Sequence, residues 1–170
     1  RLFGRDGKFI SPGEFIPMAE EYGLIDGFSW IVLEKVCEFL GANPALPLKT
    51  VSVNMTGQQI LDPIFIRRIE QNLEKYRVKG ERLRIEITER TVTDDFAEVK
   101  KVMESLAQKG IRFYLDDFGT GYSNLSSMLS LPFEVIKFDQ SLVRAMDESE
   151  KALKTIGLLA DIMHENDFYI

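Results

Sequence analysis

The 170-residue chain contains one cysteine, Cys37, and one histidine, His164. A single cysteine excludes a disulfide framework, and a single histidine leaves too few ligands for a zinc site of the usual Cys/His kind. The redox setting therefore reads as cytosolic. No apolar run approaches the ~18 residues that a membrane span requires, and no basic-then-apolar signal segment opens the chain. A cytoplasmic domain is expected, with membrane tethering left to a parent protein. Surplus positive charge is missing too: 21 Lys plus Arg stand against 27 Asp plus Glu, a net charge of −6. That balance lacks the basic footprint of a duplex-binding protein but leaves room for a small anionic ligand held by a metal. Ser/Gly-rich linkers, low-complexity tracts and repeats are also absent, so residues 1–170 read as one continuous domain.

What is present is an alternation of helix and strand signals. Ser11-Pro12-Gly13-Glu14 has a capping serine, a first-turn proline and a capping-box carboxylate, and predicts a helix ending near Gly23. Trp30, Leu33, Cys37 and Leu40 recur at helical spacing and predict a buried second helix stopped by Gly41. A short strand is expected over 50–54, a helix over 63–76 and a strand over 82–88. Asp95 and Glu98 resemble a capping box for a helix carrying Phe96, Val99, Met103 and Leu106 on one face. Further strands are expected over 111–115 and 134–138, then one last helix from about Glu148, and a fifth strand beginning at Phe168. Strands joined by helices long enough to cross back over a sheet give parallel βαβ units, so the fold class is α/β.

Polar residues able to bind metal or catalyse fall at the C-terminal ends of successive strands: Asn54, Glu86 with Glu89, Asp116 with Asp117, and Lys137 with Asp139. In a parallel barrel all those ends open on one face, so residues distant in sequence converge. Charged side chains on buried strands cost several kcal/mol unless paired or bound to an ion. The donors are carboxylates and an amide, which suit Mg²⁺, Mn²⁺ or Ca²⁺. Adjacent Asp116 and Asp117 can each face one of two ions or bridge them, as in two-metal phosphoryl-transfer sites, with Lys137 orienting water or neutralising charge on phosphorus.

Taken singly, each feature has a plainer reading. Asp116-Asp117 before Phe118-Gly119-Thr120-Gly121 reads as a turn, and Asn54 as a strand-end cap. Glu86 and Lys137 alone read as an ion pair. Gly119-Thr120-Gly121 opens like a dinucleotide fingerprint, but Asn124 stands where the third glycine belongs. His164 reads as structural, Cys37 as core, and Lys100-Lys101 as a solvated face.

The ordered set Glu86-Ile87-Thr88-Glu89, Asp116-Asp117-Phe118-Gly119-Thr120-Gly121-Tyr122-Ser123 and Ile136-Lys137-Phe138-Asp139 resembles the EAL family of cyclic di-GMP phosphodiesterases. Residues 11–17 and Ser52-Val53-Asn54 match further segments of that family. The resemblance implies a TIM-like (β/α)₈ barrel that uses Mg²⁺ or Mn²⁺ to open cyclic di-GMP to linear pGpG. By position, Asn54, Glu86 and Asp116 resemble metal ligands, and Asp117 the ligand of a second metal. Lys137 resembles the lysine that positions the hydrolytic water, and Glu89 the glutamate that holds the loop over 117–123. Asp139 resembles an acidic site residue, and Arg1 the arginine that closes the family's Glu-Ala-Leu-x-Arg segment and meets a substrate phosphate. Phe138 stands for a commoner aliphatic residue and Asn124 for a commoner serine.

A complete barrel of this kind takes about 250 residues, so 170 is short by roughly 80 and the chain is expected to hold the first five or six units. The first-strand glutamate and the later Ala-Glu-Gly-Val-Glu and Gln-Gly segments of the family would lie outside it. The expected partners are cyclic di-GMP, and in the parent protein a sensory or GGDEF-type domain; a homodimer is compatible with the same reading. A rival is a non-catalytic cyclic di-GMP receptor, which would be expected to lose a metal carboxylate or the lysine. An enolase-like barrel with Lys137 as base is a third option, and the double aspartate with its glycine loop argues against it.

Overall fold

The computed structural model describes residues 2–120 and 125–170. Arg1, and the expected loop residues Gly121, Tyr122, Ser123 and Asn124, lie outside the described residues. A two-stranded antiparallel hairpin, β1 (Leu2–Phe3) and β2 (Phe9–Ile10), precedes two helices, α1 (Pro12–Glu21) and α2 (Ile25–Ala42). A parallel sheet follows in sequential order: β3 (Val51–Asn54), β4 (Leu83–Thr88), β5 (Arg112–Phe118) and β6 (Phe133–Phe138). Between β3 and β4 lie the short α3 (Gly57–Ile60) and α4 (Phe65–Tyr76). Between β4 and β5 lie α5 (Glu89–Asp94) and α6 (Phe96–Ala107), and α7 (Leu125–Leu129) precedes β6. Past β6 come α8 (Gln140–Glu148) and α9 (Glu150–Glu165), after which Tyr169 pairs in parallel with Val135 of β6. That bridge places the expected fifth strand on the free edge of β6. Sequential parallel strands with helices on one side form an arc of an α/β barrel.

The main core lies between the sheet and its helices. Ile85, Ile87, Phe113, Leu115 and Ile136 point to that side and are at most 1% exposed. They meet Leu33 and Cys37 of α2, Phe65 and Ile69 of α4, and Val99, Met103 and Leu106 of α6. Each such side chain contributes about 1.5–3 kcal/mol through its removal from water. The helices are held closely: a Cβ on Gly41 would run into the backbone carbonyl of Tyr76, so only glycine permits α2 to approach the end of α4 at this point.

Two expectations about helix ends are corrected. The Asp95 side chain makes no capping hydrogen bond, and its backbone (φ −149°, ψ 68°) joins α5 directly to α6, so the resemblance to a capping box does not translate into one. The last helix, expected from about Glu148, starts at Glu150 as α9: Ser149 is extended (φ −151°, ψ 122°) and its hydroxyl accepts from the N–H of Ala152, while Glu148 ends α8, a helix over 140–148 that the sequence reading did not anticipate. The third parallel strand also runs on to Phe118, which keeps Asp116 and Asp117 within the sheet rather than in a turn. Among the described residues no helix is long and apolar enough to cross a membrane.

Candidate active site

The C-terminal ends of β3 to β6 bring four of the expected residues together. Asn54 ends β3 and stands opposite Glu86 on β4, where the N–H of Met55 donates to the Glu86 carbonyl at 2.9 Å. Thr88 of β4 in turn stands opposite Asp116 on β5. Lys137 on β6 reaches inward so that its Nζ lies 2.5 Å from Glu86 Oε1 and 3.6 Å from Asp116 Oδ2. Glu86 is only 5% exposed, and a carboxylate so placed needs a cation. Lys137 supplies one positive charge to two carboxylates, and the local surplus stays negative.

Asp117 adds to that surplus. On passing from Leu115 to Phe118, β5 spends one more residue than β6 does between Ile136 and Phe138, so Asp116 and Asp117 share the stretch opposite Lys137. Asp117 takes a left-handed backbone (φ 55°), which costs a non-glycine residue about 1–2 kcal/mol. Desolvation, then the charges of Asp116 and Asp139, push its carboxyl above the ordinary value, with Lys137 opposing them. Extra residues of this kind re-aim side chains, and here two adjacent carboxylates are separated in direction.

The strained segment is fixed from three sides. Glu89, 3% exposed at the start of α5, accepts from the N–H of Gly119 at 2.8 Å. The N–H of Asp139 donates to the Phe118 carbonyl at 3.0 Å, and the Phe118 and Phe138 rings pack with centroids 5.4 Å apart. Phe138, the departure noted in the sequence, is thus half of an aromatic clamp beneath the site. The Asp139 side chain caps α8 by accepting from the N–H of Ser141 at 2.8 Å, and hydrogen bonding by the Ser141 hydroxyl first, then by that N–H, holds its carboxyl below the ordinary value. It faces the site as a charge near Asp117 while its own oxygen is engaged in the cap. Arg1 lies outside the described residues.

Two charged residues were not singled out from the sequence. Arg84, buried on β4, pairs with Glu134 on β6 at 2.5 Å, one layer below Glu86 and Lys137. The signal was an arginine between Leu83 and Ile85 in a strand buried along its length.

No three His, Cys, Asp or Glu side chains are gathered into a closed metal cage among the described residues. The donor chemistry nonetheless fits Mg²⁺ or Mn²⁺: one amide and two carboxylates on adjacent strands, with both carboxylates already turned toward a shared cation, the Lys137 ammonium.

A parallel α/β barrel arc with acids and a lysine at its strand ends defines a barrel protein whose ligand site lies on the C-terminal face. The chain belongs to the EAL domain family, whose model matches residues 1–170. It is 32% identical over 167 residues to the signaling protein YkoW of Bacillus subtilis, covering 97% of this chain and 21% of that protein. It is 28% identical over 145 residues to the cyclic di-GMP phosphodiesterase PdeF of Escherichia coli, covering 85% of this chain and 19% of PdeF. The chain thus spans about a fifth of the length of these relatives. Among solved structures, the PaMucR phosphodiesterase in complex with c-di-GMP superposes with a TM-score of 0.88 at 24% identity, over 99% of this chain and 69% of that one. The fold is accordingly the TIM-like barrel of EAL domains.

Proposed function

We propose that the domain hydrolyses cyclic di-GMP to linear pGpG in bacterial second-messenger signalling, with Mg²⁺ or Mn²⁺ as cofactor. The observation that carries the reading is Lys137 in contact with both Glu86 and Asp116 at the C-terminal ends of three neighbouring strands. The substrate class is supported by the relative named a cyclic di-GMP phosphodiesterase and by the structural neighbour solved with c-di-GMP.

Asn54, Glu86 and Asp116 would hold one ion, and Asp117 a second. Bound there, the ions supply Lewis-acid polarisation of the scissile phosphate. Lys137 holds the attacking water in line and offsets negative charge on phosphorus as the P–O3′ bond breaks. The products of that single hydrolysis are a 5′-phosphate and a free 3′-hydroxyl on a linear dinucleotide. Glu89 keeps Gly119, and with it Asp117, in place. Asp139 steadies the start of α8 and adds negative charge beside Asp117, and Arg1 meets a substrate phosphate. The parent protein carries further sensory or GGDEF-type domains and acts in the cytoplasm.

The experiment is incubation of the purified full-length protein with cyclic di-GMP and Mg²⁺ or Mn²⁺, with chromatographic separation of products. The expected result is pGpG, lost on chelation and restored by adding the ion back. Tight binding of an uncleaved dinucleotide would instead support the non-catalytic receptor.

A further inference from the structure

Strand β6 does not alternate. Phe133 and Ile136 both face the helix-side core, at 6% and 0% exposure, although residues three apart on a regular strand point to opposite faces. The pairing with β5 shows why. Phe113 pairs with Phe133, yet Tyr114 pairs with Val135, so Glu134 is an extra residue in β6. The second irregularity, at Asp116 and Asp117 on β5, restores the register by Phe118 and Phe138. Between the two, Glu134 and Lys137 share one face, because their partners Arg84 and Glu86 are two apart on β4. Without the extra residue the alternation would carry Lys137 to the other face of the sheet, away from both acids.

We propose that Arg84 and Glu134 are positioning residues: their ion pair holds the bulge in β6 that turns Lys137 toward Glu86 and Asp116. The inference rests on the role given above to Lys137. Arg84 is 8% exposed, and all three nitrogens of its guanidinium donate hydrogen bonds. Nε donates to Glu134 Oε2 at 2.5 Å and Nη2 to Oε1 at 3.3 Å, while Nη1 donates to the carbonyls of Glu81 at 2.8 Å and Leu83 at 3.1 Å. The fork therefore ties the bulged residue to the backbone at the entry of β4, across the intervening β5. From the other side the N–H of Tyr169 donates to the Glu134 carbonyl at 3.0 Å, and the N–H of Ile136 donates to the Tyr169 carbonyl at 2.8 Å. Main-chain pairing accommodates the bulge, and the Arg84 fork gives its side chain a fixed partner. A lysine at position 84 is a point charge and cannot hold carboxylate and carbonyls together.

The test uses the full-length protein with two variants. The Arg84→Met/Glu134→Leu pair removes both charges at similar volume, so the fold is retained. The milder Arg84→Lys keeps both charges of the pair but loses the fork, and serves if the first variant fails to fold. Two readouts are taken: kcat and KM for cyclic di-GMP, and the rate of Lys137 acetylation by acetic anhydride, read by peptide mass against the exposed Lys49. The expected result for the apolar pair is a thermal midpoint near that of the wild type, kcat at least tenfold lower, KM within threefold, and Lys137 acetylated at least threefold faster. Arg84→Lys is expected to fall between. Wild-type acetylation of Lys137 in a folded variant overturns the proposal, as does a kcat that merely tracks the thermal midpoint. A wild-type protein that leaves cyclic di-GMP intact removes the phosphodiesterase reading, and the acetylation rate still decides the positioning role.

Discussion

Lys137 on β6 touches Glu86 on β4 although β5 lies between their strands. The concave curvature of the sheet makes that reach feasible, and Asp116 of β5 lies within 3.6 Å of the same ammonium. Replacing Lys137 with alanine removes the group proposed to orient water while leaving both acids in place. The expected outcome is a kcat lower by about 10²–10⁴-fold, the range for loss of a positioned proton-handling or water-orienting group. Cyclic di-GMP binding should stay within a few-fold. Initial rates together with calorimetric titration check both halves, and a loss confined to binding would contradict the assigned role.

Glu89 acts at one remove. Its Oε2 accepts from Gly119, two residues beyond the strained Asp117. Glu89→Ala removes a hydrogen bond to a buried charged carboxylate, a loss of about 1.5–3 kcal/mol, and frees the segment carrying Asp117. Glu89→Gln retains a carbonyl acceptor and should keep most of the stability. Urea melts of the two variants are expected to differ by more than 1 kcal/mol, with activity lower in Glu89→Ala; equal melts would show that the hydrogen bond carries no weight.

At Gly119 the backbone has φ 99°, and a Cβ there would run into the side chain of Leu142. Gly119→Ala combines an unfavourable conformation with a clash beside the site. A stability loss of about 1–3 kcal/mol is expected, with reduced activity. Pairing it with Leu142→Ala removes the clash but not the backbone strain, so denaturant melts of the double variant should recover only part of the loss.

The parts of the fold readable in the sequence were those with local causes. α4 is legible because its apolar residues recur at helical spacing, and the acids and lysine at strand ends stand out because such residues are costly on buried strands. The start of α9 was legible within two residues, whereas α8 was not, because it buries none of its residues and so leaves no apolar stripe that a core would demand. Asp139 reads equally as a strand-end acid or a helix cap, and only the N–H of Ser141 decides between them. The bulge at Glu134 was not legible at all. It depends on Arg84, 50 residues away, and no local pattern records a pairing made across a third strand.

Cys37 offers a test that is independent of function. It lies in α2 at 0% exposure, and burial pushes its thiol up to about 11, because the thiolate would have to form in an apolar surrounding. A thiol reagent at pH 8 should leave the folded protein unlabelled at this position and react once the chain is unfolded, as read by mass on the peptide that contains Cys37. The sign of the linked stability follows. Below about pH 8.5 both states keep the proton; above it the unfolded thiol ionises while the folded one does not, so unfolding gains free energy as pH rises toward about 11. Stability should therefore fall through that window, and a Cys37→Ala variant, which cannot ionise, should show a smaller fall over the same range. Rapid labelling of the native protein at pH 8 would show that α2 does not pack as described.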